Sequence, residues 1–274
     1  MLQKFPALRS LLASCCLGLF TLPVVADTGL NLIYQSPADS EERQIRQRLM
    51  QSPEVRQLVV MVNENFRLKR SLSLVFGAED GPLYDPEQGQ IWLPYSFMQQ
   101  VEQRFNSDSH YQPQLDGEGI SVETATMDAL MHTLLHELGH ALIDMHQIPV
   151  LGREEDAVDG LATLLLIEQF EEGGEIALSA ADLFYLEGEE IELFEDSDFW
   201  GEHSLDLQRY YSILCHVYGS DPEKYEAIVR DAGLTDDRAV GCIAEYEQLH
   251  DNWMALLKPG LKPDPEQTGL KARH

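Results

Sequence analysis

Two histidines four residues apart, with a glutamate directly after the first, form the run His136-Glu137-Leu138-Gly139-His140. On a helix such residues lie one turn above each other, so both imidazoles can reach one ion while the glutamate stands beside its open position. Catalytic zinc takes three protein ligands and keeps the fourth place for water. Glu155 supplies the third donor, and Asp159 one turn on completes an E-x-x-x-D pattern. Two carboxylates at that spacing repel on a bare helix, a penalty that a nearby cation removes. The expected site is one Zn2+ ion on His136, His140 and Glu155, with Asp159 accepting from the far ring nitrogen of His136. Glu137 is then the general base toward a metal-activated water, returning the proton to a leaving nitrogen. Glu154 and Asp156 point about 100° to either side of Glu155 and are set aside. His132, one turn before His136, reads as a neighbour of the site.

The elements that must position these residues are mostly helical. Val122–His146 carries the metal pair. At helical spacing Met127, Leu134, Leu138, Ala141 and Met145 fall on one stripe, with His136 and His140 opposite. The break at Ile148-Pro149 and Gly152 lets a second helix, 153–170, fold back antiparallel and carry Glu155 toward the ion. Upstream, Ser52-Pro53-Glu54 starts a helix, Leu72–Phe76 and Gln90–Tyr95 read as strands, and Ser96–Phe105 reads as helix. Asn106–Gly119 is a loop. Further helices are expected over 180–193, 205–218, 222–231 and 236–257. Glu187–Asp198 is an acidic run read as a solvated face. Whether residues 27–70 join the fold or form a removable pro-segment stays open at this stage.

The chain has 274 residues, 44% of them hydrophobic, with 19 Lys+Arg against 47 Asp+Glu and a formal net charge of −28. A surface so acidic repels phosphates and anionic bilayers, which excludes nucleic acid as a charge-driven partner and argues against an anionic membrane surface. Lys4 and Arg9 precede an apolar run over 11–25 ending at Val24-Val25-Ala26, the layout of a secretory signal with cleavage after Ala26. A lipoprotein signal at Cys15 leaves too short an apolar region. With the signal gone the remainder, residues 27–274, is expected to be one domain without membrane insertion, periplasmic or secreted. Only Cys215 and Cys242 then remain, an even pair that suggests one disulfide; the alternative is two separately buried thiols.

The metal motif followed by Glu155-x-x-x-Asp159 resembles the gluzincin, thermolysin-like metallopeptidases over residues 136–159. The wider stretch includes Tyr84-Asp85-Pro86, Ile91-Trp92-Leu93-Pro94-Tyr95, Arg153-Glu154-Glu155-Asp156, Gln208-Arg209-Tyr210-Tyr211 and Tyr218-Gly219-Ser220-Asp221-Pro222. It resembles a family of exported bacterial proteins, a domain of unknown function assigned to metallopeptidases, along nearly all of the chain after the signal. The resemblance implies an α+β, mostly helical, zincin-like domain with a small sheet before the metal helix and a helical C-terminal part. It also implies a peptide or protein substrate, with Gln90–Tyr95 as the edge strand that pairs with substrate backbone. His203 leads the candidates for oxyanion stabiliser, followed by Tyr210, Tyr211 and His216. The competing reading is a periplasmic metal-binding or interaction protein without turnover, which would close the fourth metal position with a protein ligand.

Overall fold

The computed structural model describes residues 28–108 and 120–263. The signal predicted over residues 1–26 and most of the loop predicted at Asn106–Gly119 lie outside those residues. The fold is α+β and mostly helical, with one small sheet near the N-terminus followed by helices.

Strands β1 (Leu30–Tyr34), β2 (Leu72–Phe76), β3 (Leu83–Asp85) and β4 (Gln90–Leu93) form the sheet in the order β1-β2-β4-β3. β1, β2 and β4 run parallel, with Leu32 beside Leu74 and Leu74 beside Ile91. β3 runs antiparallel along the outer side of β4, Tyr84 opposite Ile91. The expectation that Gln90–Tyr95 is the edge strand is therefore corrected: that strand is internal, and Leu83–Asp85 is the edge on that side. Three residues between Gly81-Pro82 and Pro86 carry too little pattern to read as a strand, because their neighbours are turn residues.

The first helices, α1 (Ser40–Gln51) and α2 (Pro53–Asn65), bury Ile45, Leu49, Val55, Leu58 and Val62. Ser52 accepts from the Val55 amide and Pro53 occupies the first turn, so the helix start is satisfied by its own sequence. β1 pairs with β2 along its whole length, which makes this N-terminal segment part of the fold. After β4 comes α3 (Tyr95–Ser107) and then α4 (Val122–His146), capped by the Ser121 hydroxyl on the Thr124 amide. α4 ends at Gln147 in the left-handed conformation (φ 54°), and Pro149 prevents its continuation.

The single-stripe reading of α4 is corrected too. Both sides of the helix are covered, with Leu134 and Leu138 buried and His132, His136 and Glu137 at 2%, 6% and 6% exposure. A helix at the centre of the fold packs against neighbours all round, and its polar residues are then admitted only where partners meet them. One of those neighbours is α5 (Glu154–Gln169), and the closeness of the pair depends on Gly139. A Cβ at Gly139 would stand 2.8 Å from Val158 Cγ1, closer than side-chain carbons approach. The unspecified fourth position of the histidine motif thus lets α5 lie against α4 and brings Glu155 and Asp159 to the histidines.

Beyond α5 lie α6 (Gly173–Glu189), α7 (Asp196–Trp200), α8 (Asp206–Ser220), α9 (Ala227–Asp231) and α10 (Asp236–Leu257). α6 begins well before the expected 180. Gly173 and Gly174 are weak helix formers, yet their missing side chains make room for the Leu166 carbonyl and the Tyr225 hydroxyl. The helix expected over 222–231 shrinks to α9, preceded by turns. Cys215 on α8 and Cys242 on α10 are joined in a disulfide, Cα atoms 5.0 Å apart. Closing that loop restricts the unfolded chain, so the Cys215→Ala, Cys242→Ala double variant is expected to lose about 3.5 kcal/mol. Urea midpoints of the oxidised wild type and the double variant measure it; equal midpoints would show that the bridge contributes nothing. Among the described residues no helix is long and apolar enough to cross a membrane.

Candidate metal centre

His136 and His140 on α4 face Glu155 in the first turn of α5, and their ligand atoms form a triangle. His136 Nε2 lies 3.1 Å from Glu155 Oε2, His140 Nε2 lies 3.2 Å from the same oxygen, and the two nitrogens are 3.3 Å apart. Tetrahedral bonds of about 2.0–2.1 Å place neighbouring ligands roughly 3.3–3.4 Å apart, so the triangle has nearly the size of one face of a zinc tetrahedron. These three residues are the group among the described residues whose donor atoms lie close enough together to hold an ion.

The tautomers follow from the partners behind the rings. His136 Nδ1 is 2.7 Å from Asp159 Oδ1, and His140 Nδ1 is 2.8 Å from Glu154 Oε1. Carboxylates only accept, so each Nδ1 carries a proton, and in its neutral form each ring turns its Nε2 lone pair toward the Glu155 oxygen. Three lone pairs aimed at one point repel unless positive charge sits among them. Protonation responds in that sense. Burial alone would lower the His136 pKa, but hydrogen bonds to Asp159 and Glu155 outweigh it and raise it to about 9. His140 is raised as well, burial again opposing hydrogen bonds to Glu155 and Glu154. Burial would raise the Glu155 carboxyl, yet the three histidines around it hold it far below the usual carboxylate range. The donor set fits a divalent cation.

Asp159 is anchored from its far side by a residue that the sequence reading did not single out for a role. Arg209 on α8 donates Nε to Asp159 Oδ2 at 2.7 Å and Nη2 to Oδ1 at 3.0 Å, while its guanidinium lies 3.8 Å above the Phe184 ring. Burial opposes ionisation of Asp159, but His136 and Arg209 together keep its carboxyl well below the ordinary range. Nothing in the local spacing marks Arg209, which reaches the site from a different helix; the resemblance quoted its motif without a role. Glu154, set aside as third ligand, does stay outside the triangle, but its carboxylate reaches the far ring nitrogen of His140, a part the sequence reading did not give it.

Glu137 is buried beside the triangle. Burial raises its pKa, the two histidines pull the other way, and the Tyr84 backbone amide hydrogen-bonds to the carboxylate. β3 is fixed over α4 by the Tyr84 hydroxyl, 2.8 Å from Asp144 Oδ2, with Arg70 paired to the same carboxylate. A cleft of about 990 Å³ opens over these groups, walled by Pro82–Tyr84 on the edge-strand side and Gly201–His203 on the other. A separate apolar cavity of about 930 Å³ lies behind Asp159 and Arg209, between α5, α8 and α10. The three candidate ligand atoms and Glu137 face the polar cleft.

Of the four oxyanion candidates only His203 is in the cleft, its Nε2 3.0 Å from Glu155 Oε2 and its ring stacked on that of His136. Tyr210 is buried against Tyr185 and Tyr211, its hydroxyl 3.5 Å from the Ala232 carbonyl, and Tyr211 faces outward. His132 is buried below the site, 3.5 Å from the Thr163 hydroxyl. His216 lines the apolar cavity, its Nδ1 shielded and without a partner. Burial pushes His216 from 6.5 down to about 4. A group whose folded pKa lies below its unfolded value stabilises fully above pH 6.5 and loses that contribution as pH falls through 4. Wild type is therefore expected to lose about 2–3 kcal/mol more than His216→Gln on acidification over that interval. Parallel urea midpoints for the two chains would refute this by tracking each other.

The comparisons with known proteins agree with this geometry at the level of class. The family model DUF4344, described as "Putative metallopeptidase", matches residues 34–257, and the chain belongs to that family. No curated protein and no solved structure matches the chain.

Proposed function

We propose that the chain is an exported, zinc-dependent metallopeptidase of gluzincin type that hydrolyses peptide bonds in the cleft over His136, Glu137 and His140. The observation that carries this is the convergence of His136 Nε2, His140 Nε2 and Glu155 Oε2 at tetrahedral spacing with a buried carboxylate beside them. When bound, zinc supplies Lewis acidity toward a carbonyl and lowers the pKa of water.

The chain's own residues supply the rest. Asp159 and Glu154 hold the two rings with Nε2 toward Glu155, where an ion would be held, and Arg209 holds Asp159. Glu137, with its affinity for a proton raised by burial, takes the proton of the attacking water and delivers it to the leaving nitrogen. β3 offers an outer backbone edge beside the cleft along which an extended peptide can pair. His203 stands on the opposite wall, where an imidazole N–H can donate to the oxygen that gains charge as the carbonyl is attacked.

Among the described residues the proposed ligand set, unlike that of a structural site, is not closed by a fourth protein donor. His203 approaches Glu155 but falls outside the group of mutually close donors. A base beside the open position serves turnover and has no structural use. Export is supported by the disulfide, which persists in oxidising compartments, and by the leader expected over residues 1–26. Metal analysis of residues 27–274 with an unbiased peptide-cleavage profile tests the reading. One zinc per chain and cleavage abolished by chelation are expected. Stoichiometric zinc with no peptide cleaved would return the chain to the class of metal-binding proteins without turnover.

A further inference from the structure

Large apolar side chains are rarely left in water side by side, because burying each would be favourable. Leu193, Phe194, Phe199 and Trp200 are nevertheless 83%, 46%, 59% and 76% exposed. The Phe194 and Phe199 rings lie 5.7 Å apart, and α7 begins between them. Glu195 and Asp198 cap α7 reciprocally, so the segment has a defined shape. Trp200 leads directly into Gly201, Glu202 and His203, which wall the cleft. Arg153 fixes that wall: its Nη1 donates to the carbonyls of Gly201, Glu202 and His203 at 2.8, 3.3 and 2.6 Å. Because Arg153 immediately precedes Glu154 and Glu155, the apolar segment and the metal site share one rigid lip.

The charges on this lip select its occupant. Glu192, Glu195, Asp196, Asp198 and Glu202 stand among the apolar side chains. Nearby cations are taken elsewhere, Arg104 by Glu187 and Glu190 and Arg209 by Asp159 and Asp206. None of the five carboxylates has a basic partner among the described residues. An anionic bilayer is repelled by them, and a second copy of a chain with net charge −28 brings the same sign to the contact.

We propose that the Leu193–Trp200 lip docks a polypeptide substrate in which large apolar and basic side chains alternate, holding it beyond the cleft while its backbone lies at the metal site. The proposal rests on the metallopeptidase reading and names the substrate class of the same site. Apolar side chains of the substrate cover Leu193, Phe199 and Trp200, and its Lys or Arg heads reach the carboxylates between them, an attraction that salt weakens.

Trp200 is 76% exposed and Trp253 is buried, so in a Trp92→Phe background, which removes the half-buried third tryptophan, Trp200 is the reporter. Fluorescence titration of the zinc-loaded Glu137→Gln chain with a short Leu/Arg-alternating peptide is compared with its Leu/Glu counterpart. The arginine peptide is expected to bind at least about tenfold more tightly, with the preference shrinking as salt rises. Leu193→Ser with Phe199→Ser, and separately Glu192→Gln with Asp196→Asn, should each weaken that binding about tenfold. Both double variants, with Glu137 intact, should cleave an uncharged peptide too short to reach the lip at the wild-type rate, which shows that they fold. Equal binding of the two peptides, unaltered affinity in the double variants, or self-association of wild type that the serine variant abolishes without any peptide preference would each overturn the proposal. Preferential binding of the arginine peptide by a wild type that cleaves nothing sinks the peptidase reading and leaves a basic-peptide surface standing. Cleavage indifferent to basic residues does the reverse.

Discussion

Glu137→Gln is expected to keep one zinc per chain and to lower peptide hydrolysis by about 10²–10⁴-fold. The two side chains have nearly the same shape, and glutamine can still accept from the Tyr84 amide through its carbonyl oxygen, so packing beside α4 is preserved. What the variant lacks is a group that can take a proton. The site raises the pKa of Glu137 by burial, partly offset by His136 and His140, which moves its basicity in the direction a general base working near neutrality needs. His140→Ala provides the contrast, because it removes a proposed ligand and should lose both zinc and turnover. Inductively coupled plasma analysis and the cleavage rate of a fluorogenic peptide, measured on the same preparations, separate the two. Undiminished turnover in the glutamine variant would rule out the base role; loss of zinc would move Glu137 into the ligand set.

The parts of the site visible in the sequence are those carried by helical period within one or two turns. His136, Glu137 and His140 share one helix, and Glu155 and Asp159 share the next; the turn at Pro149 is enough to fold one onto the other, and the structure brings these five side chains together. Residues that arrive from elsewhere in the chain have no such mark. Arg209 lies on a helix fifty positions beyond Asp159, and its role exists only because α8 packs against α5. Glu154 was rightly set aside as a ligand, but its contact with the back of His140 went unseen, because a helical wheel fixes where the Cβ points and not how far a carboxylate on two methylenes can bend. The edge strand went unseen for a related reason, since β3 is defined by pairing with β4 rather than by any alternation of its own three residues. The helix stripe failed differently. A period of 3.6 locates apolar positions, but it cannot tell a half-exposed helix from a central one whose polar residues are all satisfied.

Asp159→Ala should damage stability and metal affinity together, for separable reasons. Asp159 is 7% exposed and stands between His136 Nδ1 and the Arg209 guanidinium. Its removal leaves a buried cation without its two-point partner, which costs about 3–5 kcal/mol in comparable sites. Asp206, 3.7 Å from Arg209 Nη1, remains and places the expectation toward the lower end. Zinc affinity should fall about 10–100-fold, because the His136 ring then loses the acceptor that fixes its tautomer and orientation. Adding Arg209→Met tests the separation. The methionine removes the stranded charge and keeps apolar contact with Phe184, so Asp159→Ala/Arg209→Met should be more stable than Asp159→Ala alone. Zinc affinity should stay low in the double variant, since nothing has been restored behind His136. Urea midpoints of the metal-free chains give the first quantity, and competition with a chromogenic chelator gives the second. If the double variant regained zinc affinity as well as stability, Asp159 would matter only as the counter-ion of Arg209, and its proposed hold on the metal-binding imidazole would be wrong.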